Sequence, residues 1–173
     1  MVIWLTGISG SGKTTLANCI IKKLRIKYPQ SILVDGDEIR ELFGNDLGYS
    51  LKDRLVQIER IQKVVKFLEK QGFIVVTSAL YSSDSITALN RKIFRNYFEV
   101  YLKASIELVS SQDIKKIYHN AKLGKEKNVV GLDIKWNEPK FPDLTFSRDK
   151  GFTVEAASDY IIENINKEYL YNE

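Results

Sequence analysis

The run Val2-Ile3-Trp4-Leu5-Thr6 passes directly into Gly7-Ile8-Ser9-Gly10-Ser11-Gly12-Lys13-Thr14, and that octapeptide passes into an apolar-periodic segment reaching about Lys27. No other feature limits the fold as tightly. A buried strand, a glycine loop and a helix in immediate succession form the opening of an α/β unit. The glycines allow the loop to turn tightly enough for successive N–H groups to surround a phosphate, with the dipole of the following helix aimed at it. Gly7, Ser9, Gly10, Ser11, Gly12, Lys13, Thr14 and Thr15 are therefore the candidate triphosphate-binding residues. Lys13 is expected to reach the β- and γ-phosphates, and the Thr14 hydroxyl to ligate Mg²⁺. ATP and Mg²⁺ are the implied cofactors.

Further strands are expected at Ser31 to Asp35, Phe73 to Thr77, Phe98 to Lys103 and Leu144 to Phe146. Between the second and third, Leu55, Ile58, Ile61, Val64, Val65 and Leu68 recur at helical spacing, which predicts an inward-facing amphipathic helix from Asp53 to Gln71. A last helix is expected from Val154 to Tyr169 behind a Thr153 cap. Strands alternating with helices imply an α/β fold with a parallel sheet, helices on both faces, and the architecture of a P-loop NTPase. The whole chain, 1–173, is read as one domain. Gly124 to Pro142 lacks periodicity and is long for a structureless loop, so a lid over the site is expected at about 113–142.

Composition narrows the class. The chain has 173 residues, 26 Lys+Arg against 22 Asp+Glu, and one cysteine, Cys19. A single cysteine excludes an internal disulfide framework and a cysteine-based zinc cluster; Cys19 is read as packing in a helix. No apolar run approaches the ~20 residues that span a bilayer, and Met1 to Thr6 lacks the charged start of a signal peptide, so no membrane is expected and the cytoplasm is the expected location. The mild basic excess suits anionic partners, with Lys115, Lys116, Lys122, Lys125 and Lys127 concentrated near the lid. No aromatic-basic platform for single strands is evident, so nucleic acid is not expected as a partner. A homodimer is left open. His119, the sole histidine, is read as structural or exposed.

Asp35-Gly36-Asp37 closes the second strand, and ligands of open parallel sheets sit beyond the carboxyl ends of strands. Asp35 is a candidate Mg²⁺ organiser and Asp37 a candidate partner of an attacking hydroxyl; the alternative is a turn whose acids cap backbone N–H groups. Catalytic candidates are thus Lys13, Asp35 and Asp37, with Thr14 and Asp35 at the metal. The Asn-Lys-x-Asp base-reading motif of GTPases is absent, which favours a small-molecule kinase. A polynucleotide kinase and a non-catalytic nucleotide- or RNA-binding module are the alternatives.

The segment Asp35-Gly36-Asp37-Glu38-Ile39-Arg40 through Tyr49-Ser50-Leu51-Lys52-Asp53-Arg54, with Lys127-Asn128 and Gly131-Leu132-Asp133, resembles the adenylyl-sulfate kinase family. The resemblance implies transfer of the ATP γ-phosphate to the ribose 3′-hydroxyl of a small nucleotide. It implies that Arg40 and Arg54 hold the acceptor's phosphate-linked group and that Tyr49 lines the acceptor pocket, alongside Gln57, Lys127, Asn128 and Val129. Departures from the family pattern are Gln57 for Asn, Tyr81-Ser82-Ser83-Asp84 for Ser-Pro-Tyr-Arg, Gln112 for Arg, and Val129 for the Phe that stacks on the acceptor adenine. Loss of a stacking face worth ~1–3 kcal/mol argues against an adenine acceptor; the altered site resembles that of family relatives acting on cytidine diphosphoramidate, a precursor for capsules, which the resemblance makes the expected acceptor, with adenylyl sulfate the alternative.

Overall fold

The computed structural model describes residues 1–113 and 116–165. In chain order the elements are β1 (Val2–Thr6), α1 (Lys13–Lys27), β2 (Ser31–Asp35), α2 (Gly36–Leu42), α3 (Leu51–Lys70), β3 (Ile74–Ala79), α4 (Asp84–Ile93), β4 (Tyr97–Lys103), α5 (Ile106–Ser111), α6 (Ile117–Lys122), β5 (Leu144–Ser147), a single 3-10 turn (Arg148–Lys150) and α7 (Val154–Ile165). The expectations for Lys115 and for a helix continuing to Tyr169 lie outside the described residues.

All strand pairings are parallel, in the order β2-β3-β1-β4-β5. Alternation along the strands sends Val2 and Trp4 to one face and Ile3 and Leu5 to the other, so the sheet has a core on each side. Leu16, Ala17, Ile20 and Leu24 of α1 and Ala157, Ile161 and Ile165 of α7 cover one face. Ile58, Ile61 and Val65 of α3, with Ile39, Ile86, Val109 and Tyr118, cover the other. Trp4, Phe94 and Tyr97 meet there, with the Phe94 and Tyr97 rings stacked at 5.8 Å.

Several boundaries differ from the sequence expectation for local reasons. α3 starts at Leu51 because Ser50 caps it, its hydroxyl accepting from the Asp53 N–H, and Leu55 faces outward, 45% exposed. β3 runs two residues past Thr77, because pairing with β1 continues to Ala79. Residues 36–42 form a helix rather than a turn: the Asp35 carboxylate accepts the Asp37 N–H and so supplies a cap. α7 keeps the expected Thr153 cap, which accepts from the Ala156 N–H at 3.1 Å. In the segment expected to be a lid, residues 124–142 contain no helix, yet Val129 and Val130 are buried in the core and bridged by Val130 to Ile134.

Of the buried charged residues described, Glu99 lies deepest. Glu99 of β4 is 1% exposed, with the Thr87 hydroxyl at 3.4 Å and the Arg91 guanidinium at 3.8 Å. Burial pushes its carboxyl up to about 7, more than Arg91 and Thr87 pull it down, and neighbouring Asp143 adds to the rise. A carboxyl raised from an unfolded value of 4.5 to about 7 stabilises the fold fully below 4.5 and loses that contribution as pH rises through 7. Urea denaturation of Glu99→Gln should therefore lack a fall of about 3 kcal/mol that the native chain shows across this window. Parallel pH profiles for the two proteins would refute the assignment.

Candidate active site

The glycine loop leaves β1 at the centre of the sheet and enters α1 without a side-chain cap. Gly12, at the N-cap, has φ 92° and Gly10 has φ 75°, conformations that side chains strain to adopt. The first-turn amides of α1 are therefore not consumed by a capping side chain, which suits an anion. Lys13 Nζ donates to the Ile8 carbonyl at 2.8 Å, so the cation lies folded over the loop. The crest is fixed from outside: the hydroxyl of buried Tyr118 donates to the Ser9 carbonyl at 3.0 Å, and Arg148 Nη1 donates to the Gly10 carbonyl at 2.8 Å.

Strand register then brings the second acid-bearing segment alongside. Asp35 pairs with Ser78 across β2 and β3. Asp35 Oδ2 accepts from the Thr14 hydroxyl at 2.9 Å and from the Ser78 hydroxyl at 2.5 Å, and Oδ1 accepts from the Asp37 N–H at 2.9 Å. Asp35 thus caps α2, as the alternative reading expects, and also touches the loop threonine. Asp37 is exposed in the first turn of α2. Among the described residues no cluster of three or more His, Cys, Asp or Glu could hold a metal alone. Thr14 and Asp35 do fit a Mg²⁺ that takes most of its ligands from phosphates and water.

On the far side of Asp35 lie two arginines. Arg40 is 7% exposed and donates to the carbonyls of Leu47 and Gly48 at 2.9 and 3.0 Å. Arg54 Nη2 donates to the Asn128 carbonyl at 2.8 Å, and its Nε is buried without a partner. The Tyr49 ring lies 4.6 Å from the Arg40 guanidinium and 5.5 Å from that of Arg54. Neither arginine forms an ion pair with a carboxylate among the described residues. Burial, and then Arg40, push the Arg54 guanidinium below its ordinary value. Two close cations, one buried and one half-buried, without a carboxylate ion pair make a site that an anion would relieve.

The other acceptor candidates divide. Gln57 is buried, donates to the Gly36 carbonyl at 2.9 Å and leaves its Oε1 without a partner. The backbone N–H groups of Asn128 and Val129 both donate to the Asp133 carboxylate, in a tight loop where Asn128 takes φ 63°. Asn128 and Lys127 are exposed, whereas Val129 is 4% exposed within the core. His119 is exposed on α6, and Cys19 lies between α1 and α7 with its thiol 3.2 Å from the Ser158 hydroxyl. Asp84 pairs with Lys140 at 2.5 Å, linking α4 to the end of the loop segment.

Ser78, Tyr118 and Arg148 were not found from sequence. Ser78 follows a strand expected to stop at Thr77, and the other two act through contacts with residues more than a hundred positions away. A cleft of about 380 Å³ opens beside Ile8, between α5 and residues 131–138. A larger one, about 450 Å³, lies at the β5 edge and involves none of the candidate residues.

A family model described as adenylylsulphate kinase matches residues 1–147. The chain is 36% identical over 165 residues to a cytidine diphosphoramidate kinase from Campylobacter jejuni, covering 95% of each. It is 36% identical over 169 residues to an adenylyl-sulfate kinase from Clostridium acetobutylicum, covering 96% of this chain and 83% of that one. Among solved structures, the Mycobacterium tuberculosis APS kinase in complex with AMPPNP and APS superimposes with a TM-score of 0.85 at 29% identity, covering 94% and 95%. A P-loop loop-and-acid geometry on this sheet, matched over most of its length, makes the chain a nucleotide-directed kinase belonging to the adenylyl-sulfate kinase family.

Proposed function

We propose that the chain transfers the γ-phosphate of ATP to the ribose 3′-hydroxyl of a small nucleotide whose second anionic group rests on Arg40 and Arg54. The carrying observation is the pair of guanidiniums around Tyr49, Arg40 buried and Arg54 half-buried, in a chain whose phosphate loop is latched to Asp35. The hydroxyl oxygen forms its bond to the γ-phosphorus as the β,γ-bridging bond breaks, and ADP leaves. Such a transfer asks the protein for positioning and charge stabilisation more than for covalent chemistry. Lys13 and the loop amides hold the transferring group, and Asp37 takes a hydrogen bond from the acceptor hydroxyl. Thr14 and Asp35 would hold Mg²⁺, which when bound would supply charge neutralisation to the transferring phosphates. The segment carrying Lys127 and Asn128 serves as the lid, with the Asn128 carbonyl already on Arg54.

For the acceptor, the family match and the relatives acting on adenylyl sulfate support that nucleotide. This reverses the order that the Val129 substitution suggested. The second reading, cytidine diphosphoramidate, is favoured by the like-sized Campylobacter relative and by the absence of an aromatic at Val129. Because Val129 is buried in the core, Val129→Phe would overpack it at a cost of about 1–3 kcal/mol, so the native chain is the better instrument. Steady-state kinetics with each acceptor, with ³¹P NMR of the product, decide between them. A kcat/KM for adenylyl sulfate about tenfold or more above that for the cytidine compound, about 1.4 kcal/mol, establishes the first reading; the reverse ratio establishes the second.

Lys13→Ala should lower kcat by about 10²–10³-fold, and Asp35→Asn should also abolish most turnover, with circular dichroism unchanged. Near-normal rates in either folded variant would sink the kinase mechanism. Arg40→Ala and Arg54→Ala should raise the acceptor KM by about tenfold or more while leaving the KM for ATP in place. Equal effects on both substrates would remove the arginines from the acceptor site.

A further inference from the structure

The 3-10 turn Arg148–Lys150 grips α5 at both ends. At the start, the Ser105 N–H and hydroxyl both donate to the Asp149 carboxylate, at 3.0 and 2.5 Å. At the end, Arg148 Nη2 donates to the Gln112 side-chain carbonyl at 2.8 Å. Between these points Val109 of α5 packs against Gly10, where an added Cβ would lie 3.4 Å from its side chain. The turn, α5 and the crest of the phosphate loop therefore form one body. Arg148 is its crossing point, since Nη1 of the same guanidinium holds the Gly10 carbonyl.

The two bonds dictate what the guanidinium can still do. Hydrogen bonds from Nη1 and Nη2 lie in the guanidinium plane, and both go to neutral acceptors. Its charge is met by no carboxylate ion pair among the described residues, and its orientation is fixed at two points. What remains to offer is the flat face. It is half-buried and lies beside Gly10 and Gly12, where the loop hands over to the exposed first turn of α1. A nucleoside triphosphate seated on the loop must lead its nucleoside out past this turn. A planar cation held rigidly by its edges suits an aromatic ring, and an ammonium does not substitute for it.

We propose that Arg148 is a donor-side positioning residue whose guanidinium face stacks on the base of the donor nucleotide, with Gln112 setting its plane. The neutral Gln112 is what permits this. A cation at position 112 would repel Arg148, whereas the amide oxygen accepts from it. The proposal rests on ATP as donor and is independent of the acceptor.

The test is calorimetric binding to the full chain, without acceptor, using ADP and inorganic tripolyphosphate as a base-less ligand for the same loop. Arg148→Ala should weaken ADP roughly five- to a hundredfold more than it weakens tripolyphosphate, whose own loss measures the brace on the Gly10 carbonyl. Arg148→Lys should behave like Arg148→Ala, because charge without a plane does not stack. Gln112→Ala, which removes only the in-plane anchor, should give a smaller loss confined to ADP. Equal weakening of both ligands would show that Arg148 merely braces the loop, and unchanged ADP binding would show that it does neither; each overturns the proposal. If Arg148→Ala does not fold, the lysine and Gln112 variants carry the same comparison. Loss of ADP binding by the native chain would instead strike at the donor assignment itself.

Discussion

Three parts of the chain that share no local sequence logic converge on one carboxylate. Asp35 receives the Thr14 hydroxyl from the phosphate loop, the Ser78 hydroxyl from the end of β3 and the Asp37 N–H from the first turn of α2. Asp35 is 6% exposed, and a carboxyl group that deep is tolerable because three donors hydrogen-bond to its oxygens. The latch fixes the phosphate loop relative to the segment that carries Arg40, since α2 begins where Asp35 caps it. The phosphate loop and the Arg40 segment are thereby referred to one carboxylate, Thr14 through Oδ2 and α2 through Oδ1, and in-line transfer needs that kind of common reference.

The arginine pair proposed for the acceptor is built on a different principle. Arg40 is held by two loop carbonyls and Arg54 by a third, so their charges are solvated by dipoles rather than cancelled by acids. Carbonyl partners hold a guanidinium in place without neutralising it, which keeps the pair attractive to phosphate or sulfate. Gln57 is bound into this layer through the Gly36 carbonyl, so the family-divergent side chain works on the backbone beneath the arginines.

How much of this the sequence carries depends on the range of the contact. The phosphate loop was legible because its glycines and Lys13 are contiguous and the flanking periodicities are strong. The sheet and its two covered faces followed from alternation in β1 to β4 and from the spacing of Ile58, Ile61 and Val65. The helix at Gly36–Leu42 was missed because seven residues of mixed polarity carry little periodicity. Leu55 fitted the helical stripe but faces outward, since apolar spacing indicates a face and not its width. The Arg40 and Arg54 candidates came from family likeness, and their meeting at Tyr49 from the fold. Ser78, Tyr118 and Arg148 had no local signature, because each acts through a partner brought near only by tertiary packing. Gln112, read from sequence only as a departure from the family's arginine, accepts in the structure from the Arg148 guanidinium.

The central position of β1 has a consequence for how the molecule comes into being. β1 leaves the ribosome first, yet the strands that hydrogen-bond to it begin at Val75 and Tyr97. Until both are synthesised, Val2 to Thr6 is an apolar segment with two unsatisfied edges, and the loop after it has no fixed origin. Parallel pairings this distant in sequence close slowly and leave strand edges exposed meanwhile. The contiguous motif that most plainly marks the protein's chemistry therefore acquires its shape late in folding, after the segments that look least like a nucleotide site are in place.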